Sequence, residues 1–189
     1  YTADALELPW VTTRDEHEHA AEHQDPIIVL DYDEISIPPT MPRGPSAIGG
    51  KASLAFLDGA IDAARTGLVD AIVTAPISKT SWHQAGMKKY PGHTELLAAR
   101  FGAKHVAMMF VAPQLRVVLA TIHEPVSELR NLFTIGRVFD PMELADRALR
   151  NWFGCEKPRL AVCGLNPHAG EEGRFGDEER RVITPAILM

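Results

Sequence analysis

The chain has 189 residues, of which 46% are hydrophobic and 23% charged, and a formal net charge of −6 at pH 7. This is an ordinary globular composition with enough apolar material for one full core or somewhat more. The acidic balance argues against nucleic acid as the main partner, and no apolar run approaches the roughly 18 to 20 residues of a membrane span. No signal-peptide pattern opens the chain. The two cysteines, Cys155 and Cys163, lie too far apart for a CxxC clip and suit the reduced thiols of a cytoplasmic protein.

In chain order, residues 1 to 34 hold ten carboxylates and one arginine, a local balance of −9. "HEHAAEH" (17–23) puts His19 and His23 at helical spacing as a possible metal pair. Carboxylates surround it and nothing apolar organises it, so a solvated face is the expectation. "PIIVLDY" reads as a strand, and the proline-rich "SIPPTMPRGP" (36–45) is the best internal boundary. It separates an acidic part, 1–43, from a central α/β region, 44–189. "GPSAIGGKAS" (44–53) invites a P-loop reading and fails it. Lys51 is out of register, Ala52 replaces the required hydroxyl residue, and a proline-rich loop stands where a strand should precede. No GxGxxG supports a Rossmann cofactor site.

Helical patterns follow at 51–66, 79–86 and 94–101, with the strand "VDAIVTA" between the first two. Residues 76–105 carry Lys79, Lys88, Lys89, Arg100 and Lys104 against Glu95 alone, a balance of +4 inside an acidic protein. This is either a solvated basic face or a local field for a small anion. Within it, "YPGHTELLAARFG" puts His93 and Thr94 at a helix start. Gly92 can turn the chain and Thr94 can cap the helix; the same helix start, with His93 and Thr94, can hold an anion.

"HVAMMFV" and "LRVVLAT" are strands joined by the link Ala112–Leu115, too short for a crossover, so an antiparallel hairpin is expected. His123 lies just beyond the second strand. A helix over 141–153 is signalled by Asp140 as cap, Pro141 at its first position and Glu143 closing a capping box. Its face Ala145, Ala148, Leu149 and Trp152 should be core. "PRLAVCG" is a further strand, with Cys163 as a small core residue. His168 follows it in the glycine-rich "GLNPHAGEEGRFG". Strand-end histidines stand where ligands collect in open α/β sheets, but two imidazoles fall short of the three protein ligands of a catalytic metal site. A last helix is expected over 177–189. The chain does not open on methionine, and "ERRVITPAILM" stops inside an apolar pattern without a cap signal, so a longer protein is expected. Strands alternating with helices predict an α/β fold with a mostly parallel sheet and one antiparallel hairpin.

"DAIVTAPISK", "AGMKKYPGHTELLA", "LRVVLATIHEPV" and "CGLNPHAGEEGRFGDEE" closely resemble the 4-hydroxythreonine-4-phosphate dehydrogenase family of vitamin B6 synthesis, in that family's order and spacing. The resemblance runs from about residue 44 to the end, and the family's "GDPxGIGPE" and "YHDQG" segments are absent. It implies an isocitrate/isopropylmalate-dehydrogenase-like fold, two lobes around a cleft, working as a cytoplasmic homodimer. The acidic 1–43 would then belong to a truncated lobe. It also implies oxidation of 4-phosphooxy-L-threonine to 2-amino-3-oxo-4-phosphooxybutanoate, which decarboxylates, in pyridoxal phosphate (pyridoxine) biosynthesis. NAD or NADP would take the hydride, and a divalent metal (zinc, cobalt or magnesium) would assist. Matched by position, His93 and Thr94 are its substrate-binding pair, and His123 and His168 two of its three metal ligands. The third ligand falls in the absent "YHDQG". The motifs do not separate this reading from a sibling dehydrogenase of 4-phosphothreonate or a related phosphorylated sugar acid. A metal- and anion-binding protein without redox activity is the alternative from another class.

Overall fold

The computed structural model describes residues 10–11, 27–30, 35–36, 38, 40–41 and 43–189. The possible metal pair His19 and His23 lies outside them. The chain divides into two compact units, Tyr1–Gly102 and Ala103–Met189.

In the first unit, two short strands, β1 (Trp10–Val11) and β2 (Val29–Leu30), pair in parallel. Helix α1 (Ala47–Arg65) begins earlier than its periodicity predicts, because the Ser46 hydroxyl accepts from the Gly49 N–H at 3.1 Å and caps it. The failed P-loop thus becomes the first turn of a helix. Its glycine has a packing reason: a Cβ on Gly50 would overlap the Ser81 carbonyl oxygen of α2 (Lys79–Gln84). The contact is locked by Ser46 N–H donating to Ser81 Oγ at 3.0 Å and Trp82 Nε1–H donating to Ser53 Oγ at 2.8 Å. Leu57 and Ile61 of α1, Trp82 of α2 and Leu96 of α3 (His93–Phe101) form the buried core of this unit.

In the second unit, β3 (Met109–Val111) and β4 (Arg116–Val118) form the expected antiparallel hairpin, with Phe110 opposite Val117. Ala112 and Leu115 exchange hydrogen bonds across the link, at 2.8 and 3.3 Å. A short helix, α4 (Leu129–Leu132), leads into α5 (Ile135–Asn151). The start predicted at Asp140 is wrong. Thr134 caps the helix, and Pro141 sits inside it. An interior proline costs about 3 kcal/mol, but the additional turn buries Val138 with Phe133, Val182, Ile183 and Ala186 in the core of this unit. Burying the valine contributes about 1.5 to 3 kcal/mol against that cost. Asp140 instead takes the His105 ring, Nδ1 to Oδ2, at 2.8 Å. Ala145 and Ala148 are buried as expected, whereas Trp152, the C-cap residue, is 81% exposed. The helical stripe runs past the point where another element covers it. Residues Glu179–Ile183 wind widely into α6 (Thr184–Ile187).

The molecule is therefore α/β, with less sheet than predicted. Among the described residues, "VDAIVTA" and "PRLAVCG" pair with no strand, and the Cys163 expected in the core is exposed. β-propensity marks a segment fit for a ladder, but only a partner strand makes one.

Candidate functional site

Each unit carries one pair of the candidate residues. In the first, "PGHTE" opens α3. Gly92 is the cap residue, in extended conformation and without a side-chain cap bond, and His93 and Thr94 are the first two helical residues. Thr94 therefore does not cap, and the ordinary explanation for its hydroxyl falls away. The N–H groups of this first turn carry the positive end of the helix dipole. His93 is half-buried and stands edge to face against the ring of Trp82, with centroids 5.6 Å apart at 83°. The buried indole is itself held by Ser53, so the imidazole rests on a fixed wall. The basic residues Lys79, Lys88, Lys89, Arg100 and Lys104 are all exposed. Arg100 is paired with Asp58 at 3.1 Å and Lys89 lies over the Tyr90 ring at 5.1 Å.

In the second unit, His123 follows β4 with a left-handed backbone, φ 58°, and its side chain is exposed. Beside it, Glu124 Oε1 takes Arg137 Nη1 at 2.7 Å. Its Oε2 is buried with no hydrogen-bond partner, an acceptor with unmet demand. His168 sits in a tighter device. Residues 168–172 all have positive φ, and four of them (His168, Ala169, Glu171 and Glu172) are not glycine. The left-handed conformation costs an L-residue roughly 1 to 2 kcal/mol, so this turn needs support from its surroundings.

Just ahead of this turn the chain is hydrogen-bonded to Glu179, which sequence reasoning missed. Its Oε1 accepts the backbone N–H groups of Leu165 at 2.8 Å and Asn166 at 2.6 Å, and its Oε2 accepts Asn166 Nδ2 at 3.0 Å. Glu178 Oε2 accepts from the same amide at 2.7 Å. The Asn166 backbone N–H, followed by its side-chain amide, holds the Glu179 carboxyl down at about 2. The Asn166 amide also lowers Glu178. No periodicity links Asn166 to Glu179; only the fold does.

Two imidazoles give a borderline cation such as zinc or cobalt two of its nitrogen donors, whereas magnesium prefers more oxygen. Among the described residues, no group of three or more histidine, cysteine, aspartate or glutamate side chains could hold a metal. The two histidines supply the donor chemistry of part of such a set, one beyond β4 and one in the left-handed turn.

Comparison with known proteins agrees with the motif resemblance. The family model for the pyridoxal phosphate biosynthetic protein PdxA matches residues 2–189. The 4-hydroxythreonine-4-phosphate dehydrogenase of Desulfosudis oleivorans is 46% identical over 143 residues, covering 76% of this chain and 42% of that protein. The protein of the same name from Geobacter metallireducens is 50% identical over 121 residues, covering 64% and 35%. The crystal structure of the Klebsiella pneumoniae 4-hydroxythreonine-4-phosphate dehydrogenase superposes with a TM-score of 0.82 at 36% identity, over 97% of this chain and 56% of that one. The chain spans about half the length of the relatives it matches.

Proposed function

Because the chain belongs to the family of the pyridoxal phosphate biosynthetic protein PdxA, we propose that the whole protein is an NAD-dependent 4-hydroxythreonine-4-phosphate dehydrogenase. The single observation that carries this reading is the family match over residues 2–189, which takes in all four candidate residues. The substrate would be 4-phosphooxy-L-threonine, oxidised at its secondary hydroxyl to 2-amino-3-oxo-4-phosphooxybutanoate on the way to pyridoxal phosphate. The fold would be isopropylmalate-dehydrogenase-like, with a mostly parallel sheet and two lobes around a cleft, in a cytoplasmic homodimer.

His93 and Thr94 bind the substrate in this reading. The imidazole is set by the Trp82 wall, and the hydroxyl is free of a capping duty. The first-turn N–H groups of α3, with Lys79 at the start of α2, bias the region toward an anionic group. His123 and His168 would hold the divalent cation, zinc or cobalt in preference to magnesium, through ring nitrogens. When bound, the cation supplies Lewis acidity that favours the ionised form of a substrate hydroxyl. NAD, when bound, would accept the hydride as the hydroxyl proton departs, and the 3-oxo acid would lose CO2 because its carbonyl accepts the electron pair of the breaking bond.

The test incubates the whole protein with NAD, zinc or cobalt, and a panel of 4-phosphorylated hydroxy acids, following the near-ultraviolet absorbance of NADH. Turnover of 4-phosphooxy-L-threonine is expected. Turnover of 4-phosphothreonate alone would replace this reading with the sibling dehydrogenase. No NADH from any substrate would leave a non-redox binding protein.

A further inference from the structure

We propose that Glu179 is the positioning residue for His168: its carboxylate clamps the chain just before the histidine and sets the left-handed turn that aims the imidazole. Leu165 and Asn166 immediately precede the "PH" step, and both of their N–H groups end on one oxygen, Glu179 Oε1, at 2.8 and 2.6 Å. The other oxygen holds the Asn166 side chain at 3.0 Å. Asn166 passes the constraint on, since its carbonyl accepts the Ala169 N–H at 3.1 Å. The far end of the turn is closed by Phe175 N–H donating to the Gly170 carbonyl at 3.1 Å. The Phe175 ring stands 6.1 Å from that of His168.

Two glycines show how closely the clamp is fitted. A Cβ on Gly170 would come within 2.6 Å of the Gly176 carbonyl oxygen and 3.1 Å of Glu179 Oε2. One on Gly176 would come within 2.5 Å of Glu178 Oε2 and 2.6 Å of Asn166 Nδ2. The neighbouring arginines do not compete for Glu179, because Arg180 and Arg181 reach Asp177 and Glu178. Its negative charge therefore faces the loop's N–H groups. Its hydrogen bonds go to the backbone and amide ahead of His168, so it acts on the imidazole through the chain that carries it.

The inference rests on the reading of His168 as a metal ligand, but the two can fail separately. The experiment uses the whole protein in three variants: Glu179→Gln, which keeps the shape and loses the charge; Glu179→Asp, which keeps the charge and shortens the reach; and Val138→Ala, which loosens the core of the same unit at a residue outside the loop. Amide exchange at Leu165 and Asn166 and the imidazole NMR signals of His168 (assigned with His168→Ala) are recorded well below the melting temperature, before and during addition of Zn(II). Both Glu179 variants should exchange these amides about tenfold faster and shift the His168 signals, while Val138→Ala does neither. The Zn(II) needed to move the His168 signals should rise about tenfold to a hundredfold. Unchanged amides and imidazole in both Glu179 variants would overturn the proposal, as would equal changes in Val138→Ala. Zn(II) that leaves His168 untouched in the unaltered chain would overturn the metal reading, and the first two readouts would still decide the clamp.

Discussion

His93 illustrates how one contact changes an expectation. A histidine at an exposed turn would barely affect stability, but this ring packs on a buried tryptophan. An aromatic pair of that kind contributes about 0.5 to 1.5 kcal/mol, so His93→Ala should lower the melting temperature by a few degrees. In the whole protein it should also cut kcat/KM by roughly tenfold to several hundredfold, for one or two lost hydrogen bonds of about 1.5 to 3 kcal/mol each. A melting curve and steady-state kinetics on the same variant measure both; normal turnover would make the histidine purely structural. Thr94 lies inside the helix, so Thr94→Ala escapes the cap penalty and should leave the melting temperature almost unmoved while Thr94→Ser keeps activity. Glu179 makes a prediction in pH. Its folded carboxyl titrates at about 2, below the ordinary 4.5. Its contribution is therefore fully present above about pH 4.5 and is lost as pH falls toward 2. Urea midpoints should fall more steeply through that window in the parent chain than in Glu179→Gln.

Among the elements, α1 and α2 carry the sharpest prediction. Gly50→Ala forces a methyl group into the Ser81 backbone, where the nearest atom is a carbonyl oxygen with no rotamer to change. Overpacking of this kind costs about 1 to 3 kcal/mol, against the gain of roughly 1 kcal/mol that Gly→Ala brings to an open helix interior. Urea denaturation of Gly50→Ala beside Gly49→Ala measures the difference. Gly49 is the milder site, meeting only the Ser46 hydroxyl at 3.0 Å. The hairpin was readable because its signal is local: two β-branched runs and a link of four residues. Helix α5 was misread at its start for the same reason, since Pro141 is a strong local signal and the burial of Val138 is not local at all.

For the molecule as a whole, metal removal provides the remaining prediction. In the proposed reading, chelation should abolish turnover of the whole protein. Zinc or cobalt should restore it better than magnesium, and His123→Ala and His168→Ala should each weaken cation binding in equilibrium dialysis. Equal restoration by magnesium would count against imidazole ligation. The sequence by itself determined the family, the hairpin and the presence of the main helices, and it named four candidate residues, because motifs, periodicity and turn chemistry are written within a few neighbouring positions. The tertiary structure decided what depends on residues far apart in the chain. Ser46 meets Ser81, Trp82 backs His93, and Glu179 reaches back to Leu165 and Asn166 to hold a left-handed turn. It also left Trp152 and Cys163 exposed and two β-prone segments unpaired among the described residues. Burial and ladder pairing belong to the partner as much as to the segment, and no local pattern names the partner.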